Sequence, residues 1–241
     1  MYESRTYRHD IKDTDLVSFQ AAVKETDLFV RAQRNLHSET LRIIEECRRP
    51  LEGYIRAHPL FLHSLEPLEV GSNAPEIVRL MAEAAKAAGV GPMAAVAGAM
   101  AEMVGTRLLE YSGEVIVENG GDIFIKTNKG RRISIFAGAS PFTGRLALEI
   151  EPERTPLGVC TSSGTVGPSL SLGMADAAVV LSKSAALADA AATAVGNLVK
   201  SPQDIKLALQ RGQEIAGVTG ILIIAGESMG AWGDIKLVDL S

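Results

Sequence analysis

Residues 114–127, with the sequence EVIVENGGDIFIKT, place two runs of strand-forming residues on either side of a Gly-Gly pair. Val, Ile and Phe favour strands, and a two-residue glycine turn between such runs is typical of an antiparallel hairpin. The segment therefore predicts strands at 114–118 and 122–127. The residues around the turn are Asn119, Gly120, Gly121 and Asp122. The two glycines either supply the positive φ of a tight turn or let a ligand press against bare backbone, and taken alone they favour the turn.

A second turn follows directly, at Asn128-Lys129-Gly130. Beyond it, residues 132–136 again contain alternating isoleucines. Because Asn and Gly favour turns, we expect the strands at 122–127 and 132–136 to form a second hairpin.

The rest of the chain mixes strand-like and helix-like patterns. Further strands are predicted at 16–25, 157–162, 176–182, 218–225 and 234–240, with a turn at Thr26-Asp27. Helices are predicted at 38–57, 93–110, 184–198 and 202–211, and Pro50 is expected to kink or divide the first. Helices between antiparallel-looking strands indicate an α+β fold, with mostly antiparallel sheets packed with Ala-rich helices. We find no linker-like composition shift and expect residues 1–241 to form a single unit.

One more helix has clear start and stop signals. Asn73 is a good N-cap, and Glu76 follows three residues later, as in a capping box. Pro75 is tolerated in a first turn, and Gly89 is a suitable C-terminal residue. An apolar stripe at helical spacing lies between them.

Composition limits the classes of partner. The net charge is −5 and the basic residues are scattered, which argues against a nucleic-acid partner. Cys47 and Cys160 lie far apart, without metal-ligand or disulfide spacing, so a reducing compartment is expected. The charged residues 1–15 lack the apolar region of a secretory signal, and the apolar stretch 87–101 is shorter than a membrane span. These features predict a cytoplasmic protein that does not cross a membrane.

The segment 160–165, CTSSGT, is rich in hydroxyl groups and follows a predicted strand. Such a loop either presents N–H and O–H donors to a phosphate or is a solvated turn. Cys160 as a nucleophile would need a neighbouring base, and the sequence identifies none.

Asp189 and Thr193 lie four residues apart in the Ala-rich helix, so their oxygens share one helix face. A carboxylate and a hydroxyl on an otherwise small apolar face are suited to Mg²⁺ with phosphate ligands. A local Asp–Thr hydrogen bond, or an Asp that caps a neighbouring element, explains the pair equally well.

Taken in order, the segments VENGGDI, CTSSG and ADAAATA resemble the ApbE family of FAD:protein FMN transferases. That family has a Gly-Gly-Asp after a strand, a Thr-Ser-Gly loop and an Ala-Asp-x-x-x-Thr-Ala helix. Upstream, residues 97–102 stand where the family has Lys-Gly-x-x-x-Asp, and they keep the glycine, Gly98, and an acid, Glu102. The resemblance covers about 90–200, whereas residues 1–90 show none of the family's usual features.

The resemblance implies an ApbE-like fold with a flavin pocket. Residues expected to bind the flavin nucleotide are Gly98, Glu102, Asn119, Gly120, Gly121, Asp122, Thr161, Ser162, Ser163 and Gly164. Asp189, Thr193 and a backbone carbonyl near Gly98 would hold Mg²⁺. In the family, a threonine hydroxyl of an acceptor protein attacks the pyrophosphate of FAD, FMN becomes attached and AMP leaves.

One family element is replaced. Where the transferases have a His-x-x-Asp-Pro segment, residues 167–172 read GPSLSL, without a histidine. Three functions therefore stay open: a Mg²⁺-assisted flavin transferase or FAD pyrophosphate hydrolase, a non-catalytic flavin or nucleotide binder, and a scaffold protein without a small ligand. The sequence identifies no catalytic residue.

Overall fold

The computed structural model describes residues 15–165 and 172–240. The strands in this part of the chain are β1 Val17–Val23, β2 Thr26–Ala32, β3 Val115–Asn119, β4 Asp122–Lys126, β5 Arg131–Ser134, β6 Leu146–Ile150, β7 Leu157–Ser162, β8 Ala177–Ser182, β9 Val218–Ala225, β10 Ser228–Gly233 and β11 Leu237–Asp239. The α-helices are α1 His37–Ala57, α2 Leu60–His63, α3 Glu76–Ala88, α4 Val96–Leu108, α5 Ala185–Leu198 and α6 Ile205–Gln213. Short 3-10 turns lie at Pro92–Ala95, Pro152–Arg154 and Pro202–Asp204.

The strands form two sheets. The larger has the order β1-β2-β3-β4-β7-β8-β9-β10 and the smaller the order β11-β6-β5, and every neighbouring pair in both is antiparallel. Alternate residues of the large sheet enter two different cores, because side chains alternate across a strand. Val117 and Phe124 pack with the helices, whereas Ile116 and Ile125 pack with the small sheet. The α+β fold is therefore confirmed, as three layers: helices, large sheet, small sheet.

The β3–β4 connection is the tight hairpin that the sequence predicts. Asn119 pairs with Asp122, and the two residues between them, Gly120 and Gly121, have φ values of 69° and 103°. Positive φ at both central positions is the requirement of a type I′ turn, which glycine meets without strain.

The second predicted hairpin is wrong. β4 pairs with β3 on one side and with β7 on the other, so both of its edges are occupied. β5 pairs with β6 in the small sheet instead. The turn at 128–130 therefore carries the chain between sheets, which local sequence does not reveal.

Three further local predictions differ from the structure. α3 begins at Glu76 with Pro75 as its N-cap and no side-chain capping bond, so the Asn73 capping box does not form; Pro75 is extended there, with ψ 148°. Of the two effects expected of Pro50, division of α1 does not occur, because the helix runs unbroken through this residue. The first turn lies at Lys24-Glu25 rather than Thr26-Asp27, because Lys24 takes the positive φ of 54° and β2 already begins at Thr26.

β2, β6 and β10 were not predicted from the sequence. Gly89 does end α3 in the left-handed region, with φ 70°, as predicted.

The backbone of α5 lies so close to α4 and β7 that the contact positions have no room for a Cβ atom. A Cβ atom at Gly98 would lie 2.2 Å from the carbonyl oxygen of Ala185 and 2.7 Å from the Cβ of Asp189. A Cβ at Gly158 would lie 2.4 Å from the Cα of Ala185. These two glycines let α5 lie directly against α4 and the sheet, and they set the position of Asp189.

Candidate functional site

Polar side chains lie together on the helix-facing side of the large sheet, at the edge where β3 and β7 end and β4 begins. Asn119 is two residues beyond Val117, and Asp122 is two residues before Phe124, so both share the helix-facing side with those core residues. Ser162 follows Cys160, another helix-side core residue, in the same way. The NGGD turn and the end of β7 therefore place Asn119, Asp122 and Ser162 beneath α4 and α5.

Asp189 reaches this group of side chains from α5. Its Oδ2 accepts a hydrogen bond of 2.8 Å from the backbone N–H of Gly98 in the first turn of α4. Burial raises the pKa of Asp189 to about 7, and the backbone N–H groups of Gly98 and Ala97 oppose that rise. The residue as a whole is only partly buried. Asp189 thus caps a neighbouring helix, which is one of the explanations that the sequence left open.

α4 and α5 cap each other. Glu102 of α4 accepts hydrogen bonds through Oε2 from the Ser184 hydroxyl, 2.8 Å, and from the backbone N–H of Ala186, 3.0 Å. The N-terminal turn of a helix carries partial positive charge and unpaired N–H groups, so a carboxylate there is favourable. The Glu102 carboxylate, expected to bind a nucleotide, therefore holds the start of α5.

Thr193 lies one turn beyond Asp189 and is partly exposed. Within residues 15–165 and 172–240, its hydroxyl has no hydrogen-bond partner, so the local Asp–Thr hydrogen bond does not form. Its oxygen is available to bind a ligand, and it lies on the same face of α5 as the Asp189 carboxylate.

Asp122 lies deeper, with 7% of its surface exposed. Its Oδ1 accepts a hydrogen bond of 3.3 Å from the backbone N–H of Thr161. Burial, and then the negative charge of Asp189, raise the pKa of Asp122. The Asp122 and Asp189 carboxyls are therefore close enough for ionisation of one to oppose that of the other, and a cation would relieve this repulsion.

Cys160 is fully buried and lies near both carboxyls. Its Sγ donates to the carbonyl of Ala185 at 3.3 Å. Burial and the charges of Asp122 and Asp189 raise the pKa of the thiol. A buried thiol held as a donor is a poor nucleophile, which agrees with the absence of an identifiable base in the sequence.

The hydroxyl-rich loop divides its side chains between the two faces of the sheet. Ser162 faces α5, where a Cβ at Gly196 would lie 3.4 Å from its Oγ. Thr161 is two residues beyond Val159, which packs with the small sheet, so the two side chains face the same side. On the helix side, Thr161 therefore contributes its backbone N–H rather than its hydroxyl. Gly164 donates its N–H to the carbonyl of Ala175 at 2.9 Å, and the Ser163 hydroxyl contacts the same carbonyl at 3.5 Å.

The turn glycines complete the rim of this site. Gly120 is exposed and Gly121 partly so, and the N–H of Gly121 donates to Glu118 Oε1 at 2.9 Å. Glu118 lies on the small-sheet side of β3, as does Ile116 two residues earlier. The replaced family segment, 167–172, falls outside the described residues except for Leu172.

We refer to Asp122, Asp189, Thr193 and the Ala97-Gly98 peptide as the carboxylate site. The atoms of this site that could bind a metal are all oxygens: two carboxyl groups, a hydroxyl and a peptide carbonyl. Such a set suits a hard cation such as Mg²⁺. Two neighbouring carboxyls, and a hydroxyl without a partner among the described residues, also fit a cation. No group of three or more His, Cys, Asp or Glu side chains in the described part of the chain is arranged to hold a metal, so a cation here would depend on hydroxyl and carbonyl oxygens as well.

Sequence reasoning did not single out Ala97, whose peptide contributes to the site. Alanine has no polar side chain to mark it, and the family resemblance implied only a backbone carbonyl near Gly98. The shared face of Asn119, Asp122 and Cys160 could have been inferred, because the two-residue turn fixes the register of β3 against β4.

The sequence matches the family model described as AbpE bacteria over residues 8–230. The chain belongs to this family. The matched region includes residues before position 90 as well as the motif-bearing part of the chain.

Relatives and solved structures extend the comparison. A UPF0280 protein from Methanosarcina acetivorans is 42% identical over 219 residues, covering 90% of this chain and 86% of the relative. The apo flavinyl transferase ApbE from Pseudomonas stutzeri has a TM-score of 0.59 at 17% identity, covering 90% of this chain and 94% of that one. A mutant of the flavin transferase ApbE from Vibrio cholerae has a TM-score of 0.55 at 14% identity, covering 91% and 97%. The chain therefore has the fold of these transferases.

Among the described residues, no single helix combines the length and apolar character that a membrane crossing requires. One bent pair, Glu76–Ala88 with Pro92–Leu108, meets the length and composition test jointly across a 104° bend. Most of their apolar side chains belong to the helix-side core.

Proposed function

We propose that this chain is a Mg²⁺-dependent enzyme that cleaves the pyrophosphate of FAD, either by transferring FMN to a hydroxyl of an acceptor protein or by hydrolysis with water. The observation that carries the proposal is the placement of Asp189 and Thr193 on one face of α5, partly exposed and beside Asp122. The likeness in fold to flavin transferases supports the same substrate class.

In this reaction, the hydroxyl oxygen of the acceptor forms a bond to the phosphorus on the FMN side. The bond from that phosphorus to the bridging oxygen breaks, AMP leaves with the bridging oxygen, and the hydroxyl proton is released to solvent. When bound, Mg²⁺ would neutralise the charge on the phosphate oxygens. Asp189, Thr193 and a carbonyl near Gly98 would hold it.

The other residues of the site bind and orient. The bare backbone of Gly120 and Gly121 leaves room for a planar group or a phosphate at the rim. We expect the Ser162 hydroxyl, on the helix side of β7, to donate a hydrogen bond to a phosphate oxygen. Asp122 fixes the start of the hydroxyl-rich loop through the N–H of Thr161.

The second candidate function is a flavin or nucleotide binder without catalysis. It is favoured by one observation, the absence of a histidine from residues 167–172, where the transferases have one. An acid–base group of this kind commonly contributes about 10²–10⁴-fold to a rate.

Asp189→Asn tests the proposal, with Asp234→Asn as the matched control because Asp234 is 63% exposed in a surface ion pair. With FAD and Mg²⁺, we expect the wild type to release AMP, and D189N to lose about 100-fold or more of that rate because the cation loses its carboxylate. Chromatography of AMP, FMN and protein-bound flavin separates hydrolysis from transfer.

Three other outcomes would change the assignment. FAD binding that needs no Mg²⁺ and is equal in D189N would contradict the mechanism. Bound flavin with no AMP release would favour the binder, and no thermal shift with any nucleotide would favour a scaffold.

The cytoplasm is the proposed location. Cys47 and Cys160 are both free thiols in the folded chain, and burial raises the pKa of Cys47 to about 11. Unpaired thiols are typical of a reducing compartment.

A further inference from the structure

Asn119 is connected to Asp189 through a single peptide group. Its Nδ2 donates a hydrogen bond of 3.2 Å to the carbonyl oxygen of Ala97. The N–H of the same peptide belongs to Gly98, and it donates the 2.8 Å hydrogen bond to Asp189 Oδ2. The side chains of β3 and α5 thus bond to opposite ends of the Ala97-Gly98 peptide.

These two hydrogen bonds run in the same direction. Asn119 donates to the carbonyl, and the peptide donates in turn to the carboxylate. Hydrogen bonds in series polarise one another, so a donor at the carbonyl strengthens the N–H at the other end. A hydrogen bond from a backbone N–H to a carboxylate is also among the stronger kinds.

The peptide has little freedom to turn away. Gly98 lies in the first turn of α4, where N–H groups lack partners within the helix. Ala185 and Asp189 approach Gly98 so closely that a Cβ there would overlap them. Asn119 itself is the last residue of β3 and is held by its pairing with Asp122 across the turn.

We propose that Asn119 is a positioning residue for the carboxylate site: through the Ala97-Gly98 peptide it orients the Asp189 carboxylate toward a divalent cation. An ionised carboxylate has about four lone-pair positions, so a bond to Gly98 leaves others for the cation. This role rests on the proposed function, because it assigns Asn119 to the same cation site. It differs from the expectation that Asn119 contacts the nucleotide.

The test measures the metal alone, without nucleotide. Asn119→Leu removes the donor while keeping the branched shape of the side chain, and Asn128→Leu, at an exposed turn, is the matched control. We expect Mn²⁺, used as a probe for Mg²⁺, to bind N119L about 10–100-fold more weakly than wild type, as for other residues that orient metal ligands. N128L should bind as the wild type does.

A second measurement needs no metal. In protein labelled with ¹⁵N-glycine, the Gly98 amide should shift upfield and exchange faster in N119L, and its signal should also move in Asp189→Asn. A residue that merely supported the hairpin would change the melting temperature but not this amide. Asn119→Ala, which adds no bulk, serves as the second variant should N119L not fold.

The outcomes separate the two proposals. Folded N119L and N119A proteins with wild-type Mn²⁺ affinity and an unchanged Gly98 amide overturn the role of Asn119, whatever D189N does. A wild type that binds no Mn²⁺ overturns the proposed function and this role with it. Weaker Mn²⁺ binding together with a shifted Gly98 amide supports both.

Discussion

Asp189 shows what a residue pattern can predict about a side chain and what it cannot. Its spacing from Thr193 predicts that the two oxygens share a helix face, and the structure bears this out. The sequence does not say what that face meets. The structure supplies Gly98 as a hydrogen-bond donor and Asp122 as a neighbouring carboxyl. Charge and burial therefore decide the chemistry of a residue whose position was readable from periodicity alone.

Arg131 makes a buried ion pair that the residue pattern does not predict. Its guanidinium, with 4% of the side chain exposed, bonds to Asp15 and to Glu114, at 2.7 Å and 3.1 Å. Arg131→Met should destabilise the fold by about 3 kcal/mol, because it leaves the Glu114 carboxylate buried without its cation. Urea unfolding at pH 7 measures this. Lys129→Met, which removes an exposed partner of the same Asp15, should change stability by about 0.5 kcal/mol or less.

The same pair gives a pH dependence. Hydrogen bonds, including those to Arg131, hold the pKa of Asp15 and of Glu114 below their ordinary values, against the effect of burial. A carboxyl with a lowered pKa in the folded state contributes stability above its unfolded pKa, and that contribution disappears as the pH falls. The difference between wild type and R131M should therefore shrink as the pH is lowered below about 4. A difference that stayed constant would contradict the ionic origin.

At the scale of elements, the contact of α4 with α5 depends on a missing side chain. Gly98→Ala would place a Cβ 2.2 Å from a backbone oxygen of α5, so we expect a loss of about 1–3 kcal/mol and weaker cation binding. Gly53→Ala in α1 is the control, because its Cβ would meet nothing closer than 3.9 Å. That change should leave stability unchanged or raise it by up to about 1 kcal/mol. Denaturant midpoints of the two variants make the comparison, and equal effects would contradict it.

The helix elements were more predictable than their ends. The 184–198 helix agrees with α5 within one residue, and its N-cap Ser184 accepts from the N–H of Leu187. The Asn73 capping box failed although its residue pattern was present, because Pro75 takes the capping position itself. A capping motif depends on the backbone conformation at the start of the helix, and a proline there fixes its own φ angle.

At the scale of the whole molecule, the two sheets and the helices form layers that share side chains from the same strands. We expect one cooperative unfolding transition. The single tryptophan, Trp232, lies in the edge strand β10, whereas far-UV circular dichroism is dominated by the helices. Thermal or urea unfolding followed by both signals should coincide, as two-state behaviour requires. Separate midpoints would show that the chain is more than one unit.

The sequence by itself determined the strands and helices with strong periodicity, the glycine turn and the oxygen-bearing face of α5. It did so because these depend on neighbours a few residues away. Only the tertiary structure decided that β4 pairs with β7 rather than β5, that Glu102 and Asp189 cap each other's helices, and that Asn119 reaches the Ala97 carbonyl. Those contacts join residues from 22 to 91 positions apart, and their existence depends on which strand edge is free and how closely two backbones approach.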